Sequence, residues 1–265
     1  MNSRRLKLFL ENQYALYHSP EYLRLDPLIC LKGFVSGNDL EIAGLMASVL
    51  SYGRAETIIR NVSEIFKRTG RSITRFSIDT SLDHKRRLFK DFRHRFNNGY
   101  DIALLLQSVG ILLTEYGSLE SLFVEGGHGH DAIKNSLVHF TEKIKQQAIR
   151  LDPARQKGIE YLLPSPQSGS ACKRLNMYLR WMVRPADGID LGVWRNISPS
   201  MLVIPVDTHV ARIARGIGLT KRATVNWRMA EEITEKLKTF DAADPVRYDF
   251  SLCRSGMVEF RRKAA

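Results

Sequence analysis

Val206-Asp207-Thr208-His209-Val210-Ala211-Arg212-Ile213-Ala214-Arg215-Gly216-Ile217-Gly218 is the stretch on which the fold turns. Asp207 suits a helix N-cap, because its carboxylate can accept the unpaired N–H groups of a first turn. Val210, Ile213, Ala214 and Ile217 then fall on one face, and Gly218 stops the helix. The residues just upstream, Met201 to Val206, form at most a short extended stretch.

Outward from there, the helical period recurs along most of the chain. Asp39 is expected to cap a helix whose apolar positions are Ile42, Leu45, Met46, Val49 and Leu50, with Gly53 closing it. Ile58, Ile59, Val62, Ile65 and Phe66 predict a helix over 55–68, ended by Gly70. A single helix is expected over 82–96, with Lys85, Arg86, Arg87, Arg93 and Arg95 around Leu88, Phe89 and Phe92. Further helices are predicted over 101–116, from Ser118 to Phe123, from Asp131 to about Ile149, over 171–183 and over 225–239. Pro153, Pro164, Pro166 and Gly169 point to turns between 152 and 170, and Pro185, Gly188 and Gly192 open a connector to Val206. No segment keeps up a β alternation, and no repeat is visible.

Composition bounds the partners. A chain of 265 residues that is 44% hydrophobic and 26% charged can build a sizeable core. Forty Lys plus Arg against 28 Asp plus Glu leave a net charge of +12, which favours an acidic partner, most often nucleic acid. No apolar run approaches the roughly eighteen residues of a membrane span. Arg4, Arg5 and Lys7 lead only into Leu8-Phe9-Leu10 before Glu11 and Asn12, so no secretory leader and no membrane partner are expected. Cys30, Cys172 and Cys253 are too few for a disulfide framework, a four-cysteine zinc site or a four-cysteine iron–sulfur cluster, which suggests a reducing, cytoplasmic setting. His128 and His130 flank Gly129 without a third ligand nearby, so no metal is expected.

One further segment joins the first. Leu163-Pro164-Ser165-Pro166-Gln167-Ser168-Gly169-Ser170-Ala171-Cys172-Lys173-Arg174-Leu175-Asn176 is a Pro/Gly turn that opens a helix, with Lys173 in its first turn. It stands 34 residues ahead of Asp207. Together with Val206-Asp207-Thr208-His209-Val210-Ala211-Arg212, this arrangement resembles the helix–hairpin–helix DNA glycosylases of the endonuclease III superfamily. The likeness covers roughly 39–255 and is most specific at Asp207. A single glycine in the turn and the long Lys173-to-Asp207 spacing look more like the archaeal 8-oxoguanine glycosylase branch. Taken whole, the chain looks most like a bacterial branch of the superfamily.

The resemblance implies an all-α fold of two helical subdomains with a cleft between them. One would be 39–185, ending in the hairpin and the Lys173 helix; the other would combine 1–38 with 186–265 and carry Asp207. It implies a base-excision DNA glycosylase with AP-lyase activity, acting as a monomer on double-stranded DNA that carries a damaged base or an abasic site. Such an enzyme would be cytoplasmic and associated with the nucleoid. Lys173 would attack C1′ of a flipped nucleotide, in a helix turn that disfavours an ammonium, and Asp207 would assist through its negative charge. Gly169 and Ser170 would offer backbone N–H groups to a phosphate, and Arg174, Tyr52 and Arg54 would also contact DNA. No cofactor or metal is implied, since the cysteines of the superfamily's iron–sulfur cluster are absent. The alternative is a non-catalytic DNA- or RNA-binding protein on the same fold.

Overall fold

The computed structural model describes residues 2–35, 37–129 and 131–264, with side chains as far as Met257. The protein is mostly helical, and it forms two compact units, Leu25–Ser165 and Met1–Arg24 with Pro166–Ala265. The division therefore falls after Ser165 and not after residue 185. The Lys173 helix lies with Asp207 in one unit. Among the described residues, no helix is long and apolar enough to cross a membrane.

The 25–165 unit is built around two apolar helices, α2 (Gly37–Val49) and α6 (Gly99–Tyr116). Around them stand α3 (Ala55–Thr69), α4 (Ile73–Asp79), α5 (Leu82–Leu88), α7 (Leu119–Glu125), α8 (Ala132–Leu151) and α9 (Gln156–Leu162). Asp39 sits inside the first turn of α2 and does not cap it; its Oδ1 instead accepts the Thr74 N–H at 2.8 Å, tying α4 to α2. Glu41 is buried, and its Oε2 accepts the Leu119 N–H at 2.6 Å at the start of α7. The 152–170 segment holds turns and, between them, the short α9.

The helix expected over 82–96 is the largest local departure. It stops at Leu88, and Arg93–His94 pairs antiparallel with Asn97–Asn98 as a two-residue hairpin, β1 and β2. Packing explains the break. Phe89 and Phe92 are both buried, and the Gly99 N–H donates to the Phe92 carbonyl at 2.9 Å. A Cβ on Gly99 would lie 1.6 Å from the Phe89 carbonyl oxygen, so only glycine lets α6 start this close to the turn. Asn98 and Asp101 close a capping box on α6 that fixes the second strand's exit.

Lys85, the first of three adjacent basic residues, is fully buried. Its ammonium donates to the carbonyls of Ser77 (2.8 Å) and Thr80 (2.7 Å) and to Gln107 Oε1 (2.7 Å). Three donors thus meet three acceptors. Lys85→Met should lower unfolding stability by about 3 kcal/mol, since the Ser77 carbonyl, which is buried, and the half-buried Thr80 and Gln107 oxygens lose a charged donor. Burial pulls Lys85 down from 10.5 to about 8. Between those pH values the unfolded chain binds more protons, so this group makes stability rise with pH there. Denaturant melts at pH 7.5 and 10 should show that rise in the parent and lose it in Lys85→Met.

The other unit contains α1 (Ser3–Tyr17), α10 (Lys173–Val183), α11 (Thr208–Ile217), α12 (Trp227–Lys238) and α13 (Asp249–Ala264). α13 packs against both α1 and α11. The connector after α10 turns back onto it: Leu191 N–H donates to the Trp181 carbonyl at 2.9 Å and Trp194 N–H to the Met182 carbonyl at 2.8 Å. Trp181 and Trp194 are core residues.

Candidate functional site

Lys173 opens α10 behind a tightly wound loop. Gly169 (φ 77°) donates its N–H to the Pro166 carbonyl at 2.9 Å, and its own carbonyl accepts the Trp227 N–H at 3.2 Å. Ser170 Oγ accepts the Cys172 N–H at 3.1 Å. Cys172 takes a left-handed φ of 47°, and Asn176 secures it by donating through its side chain to the Ala171 carbonyl at 3.1 Å. The Gly169 N–H is thus committed within the turn. Cys172 is buried beside Lys173.

Lys173 and Arg174 are half-buried. The Lys173 amine makes no hydrogen bond or ion pair among the described residues. Asp207 is the N-cap of α11, and both its capping bonds use Oδ1, from the His209 and Val210 N–H groups at 2.8 Å each. Among the described residues Oδ2 makes no hydrogen bond. One oxygen holds the helix, and the other is left for a further partner.

Beneath them lies a cluster of charges. Arg180 on α10 and Arg184, the residue that ends that helix, lie one turn apart and face four carboxylates. Arg180 donates to Asp190 at 3.0 Å and to Asp249, the first residue of α13. Arg184 pairs with Asp190, with Asp187 at 3.1 Å and with Asp244 at 2.8 Å. His18 reaches Asp187 at 2.9 Å, bringing α1 to the same cluster. Burial drives the Asp249 carboxyl up to about 6 against the pull of Arg180; Asp207 pushes it further up and Lys173 opposes. One turn along α13, burial drives the Cys253 thiol to about 12, with Asp207 and Asp249 adding to the rise and Arg254 and Lys173 opposing it. Burial thus disfavours the Cys253 thiolate, the nucleophilic form. Asp187 is held well below the ordinary carboxylate range by its bonds to His18 and to the Asp190 and Ile189 N–H groups and by Arg184, against the cost of burial.

The structure thus brings Gly169, Ser170, Lys173, Arg174 and Asp207 into one unit and leaves Tyr52 and Arg54 in the other. Tyr52 is half-buried; its hydroxyl donates to Asn97 Oδ1 at 2.6 Å and to the His94 carbonyl at 3.0 Å. Arg54 is exposed at the start of α3. Asp249 and Arg180 escape sequence reasoning. Their signal in the sequence is two arginines four apart, Arg180 and Arg184, flanking the apolar Trp181-Met182-Val183; arginines among apolar residues need buried counter-charges. Among the described residues, no group of three or more His, Cys, Asp or Glu side chains could hold a metal ion. His130 lies outside the described residues, as do the side chains of Arg261, Arg262 and Lys263.

Residues 26–258 match the DUF2400 family, described as proteins of unknown function, and the chain belongs to that family. No curated protein and no solved structure matches it.

Proposed function

We propose that the protein is a DNA glycosylase with AP-lyase activity, with Lys173 as nucleophile and Asp207 as its assisting carboxylate. The observation that carries this reading is electrostatic and geometric together. An unpaired, half-buried amine at one helix start and a half-committed carboxylate at another both act on the same buried acid, Asp249. A lyase-type glycosylase needs those two groups. The Lys173 nitrogen bonds to C1′ as the bond to the base breaks, and the base leaves with the electron pair and takes up a proton. Asp207 stabilises the positive charge that develops on the sugar and can accept the proton Lys173 loses. Ring opening then gives a Schiff base, and loss of a C2′ proton expels the 3′ phosphate.

The net charge of +12 supports a polyanionic substrate. The test is incubation with an abasic-site duplex and borohydride. The parent should give a covalent protein–DNA adduct, Lys173→Ala should give none, and both should bind the duplex with similar salt dependence. An adduct that survives in Lys173→Ala removes the assignment. Salt-sensitive binding without any adduct selects the non-catalytic reading, which the exposed arginines of the 25–165 unit favour.

A further inference from the structure

We propose that the tip of the β1–β2 hairpin is a stacking site for an unpaired nucleobase in single-stranded nucleic acid, with Phe96 as the stacking ring. The inference rests on the nucleic-acid half of the proposed function and not on the chemistry of Lys173. Phe96 is 67% exposed at the turn. It is not a loose end. Its ring meets Tyr161, itself 39% exposed, at 5.1 Å, and the Arg95 guanidinium lies over it at 5.4 Å. Behind the tip the hairpin is pinned from several sides. Tyr52 bonds both strands, Asn61 donates to the Arg93 carbonyl at 3.0 Å, and Asn97 donates to the Gly158 carbonyl at 2.8 Å. A rigid base with an exposed aromatic tip suits a flat, apolar ligand face.

The backbone carries a second sign. Arg95 has a φ of +53°, at a position that two-residue hairpins usually give to Gly, Asn or Asp. Gly53 (φ +103°) makes room for its side chain, since a Cβ there would lie 3.0 Å from Arg95 Cδ. A strained arginine with a glycine opposite it keeps a cation where turn chemistry alone would not.

Charge selects the kind of partner. Arg86, Arg87, Lys90, Arg93 and Arg95 are all exposed and precede Phe96 within ten residues of the chain, and none is in an ion pair among the described residues. The one acid within that run, Asp91, is held by Arg68 at 2.7 Å. A run of exposed cations without carboxylate partners among the described residues, two of them lying over the rings of Tyr100 and Phe96, ending in an aromatic ring matches a chain of phosphates carrying bases, the arrangement of single-strand binding surfaces. A paired duplex keeps its base faces stacked and offers this ring nothing to cover.

The test compares a fluorescent twelve-nucleotide single strand with a matched duplex of the same length at one salt concentration. The parent should prefer the single strand. Phe96→Ser should weaken single-strand binding about five- to hundredfold, as loss of one base–aromatic stack does, and leave the duplex affinity and melting temperature nearly unchanged. Phe96→Trp should restore binding, and its added emission should be quenched by the strand. Single-strand affinity unchanged in Phe96→Ser, or a parent with no preference for the single strand, overturns the inference. A missing borohydride adduct overturns only the Lys173 chemistry, whereas no binding of either nucleic acid at low salt overturns both.

Discussion

Asp207→Asn is expected to slow formation of the borohydride-trapped adduct by about 10²–10⁴-fold while the protein stays folded, the range lost with one acid–base or charge-stabilising group. The expectation depends on separating the two jobs of this side chain. Asn and Asp rank together as N-caps, so the amide oxygen can keep the bonds that Oδ1 now accepts from His209 and Val210. What disappears is the negative charge, on Oδ2 as well as Oδ1. Loss of that charge at the start of α11 should cost at most about 0.3–1 kcal/mol of stability. Asp207→Ala removes cap and charge together and should cost about 1 kcal/mol more, with a similar loss of rate. The two variants form a control pair. If Asp207→Asn traps as fast as the parent and Asp207→Ala only destabilises, Asp207 is a cap and nothing else. Thermal melts read beside the adduct assay decide between these outcomes.

What could be read from the sequence follows how local each signal is. The α11 helix was legible because its cap, its apolar face and its terminating glycine lie within a dozen residues, and Gly218 indeed takes a left-handed φ of 82°. Ser118 at the start of α7 was legible for the same reason, its side chain accepting the Ser121 N–H. The β1–β2 hairpin was not. Arg95 occupies the turn position where glycine or asparagine would have signalled it, and Phe89 and Phe92 fit a helical period as well as they fit the buried turn they form. Lys85 looked like one of three adjacent surface cations, because its acceptors come from Ser77, Thr80 and Gln107 and only folding gathers them. In the candidate site, Lys173 and Asp207 stand out in the sequence because each lies at a helix start. Asp249 was not found, because its meaning depends on Arg180, 69 residues earlier in the chain. The unit boundary after Ser165 depends on the same kind of long-range contact: Arg180 of α10 pairs with Asp190 and with Asp249, and the sequence does not say which acids answer it.

Arg180→Met should destabilise the protein by about 3–5 kcal/mol at pH 7.5, the cost of removing one partner from a buried ion cluster. The side chains of Arg180, Asp190 and Asp249 are all within 5% of full burial. The substitution leaves Asp249 without its arginine and Asp190 with Arg184 alone, and it removes the guanidinium lying over Phe250 at 5.6 Å. The pH dependence fixes the mechanism. Burial raises the Asp249 carboxyl from an ordinary 3.8 to about 6 in the folded protein. Between those values the folded chain binds more protons, so Asp249 makes stability fall as pH rises from about 4 to 6. Without Arg180, the force that opposes burial is gone, and the fall should continue above pH 6. The penalty of Arg180→Met should therefore be smaller at pH 5 than at pH 7.5, and Arg180→Met with Asp249→Asn should recover a large part of it. A penalty under about 1 kcal/mol, or one equal at both pH values, would show that the cluster is solvated and that Asp249 is an ordinary surface acid. The same carboxyl lies within electrostatic reach of Lys173 and Asp207. An acid that changes charge near pH 6 at that place should leave its mark on the chemistry, so the pH profile of adduct formation should contain a limb near 6 that Asp249→Asn abolishes.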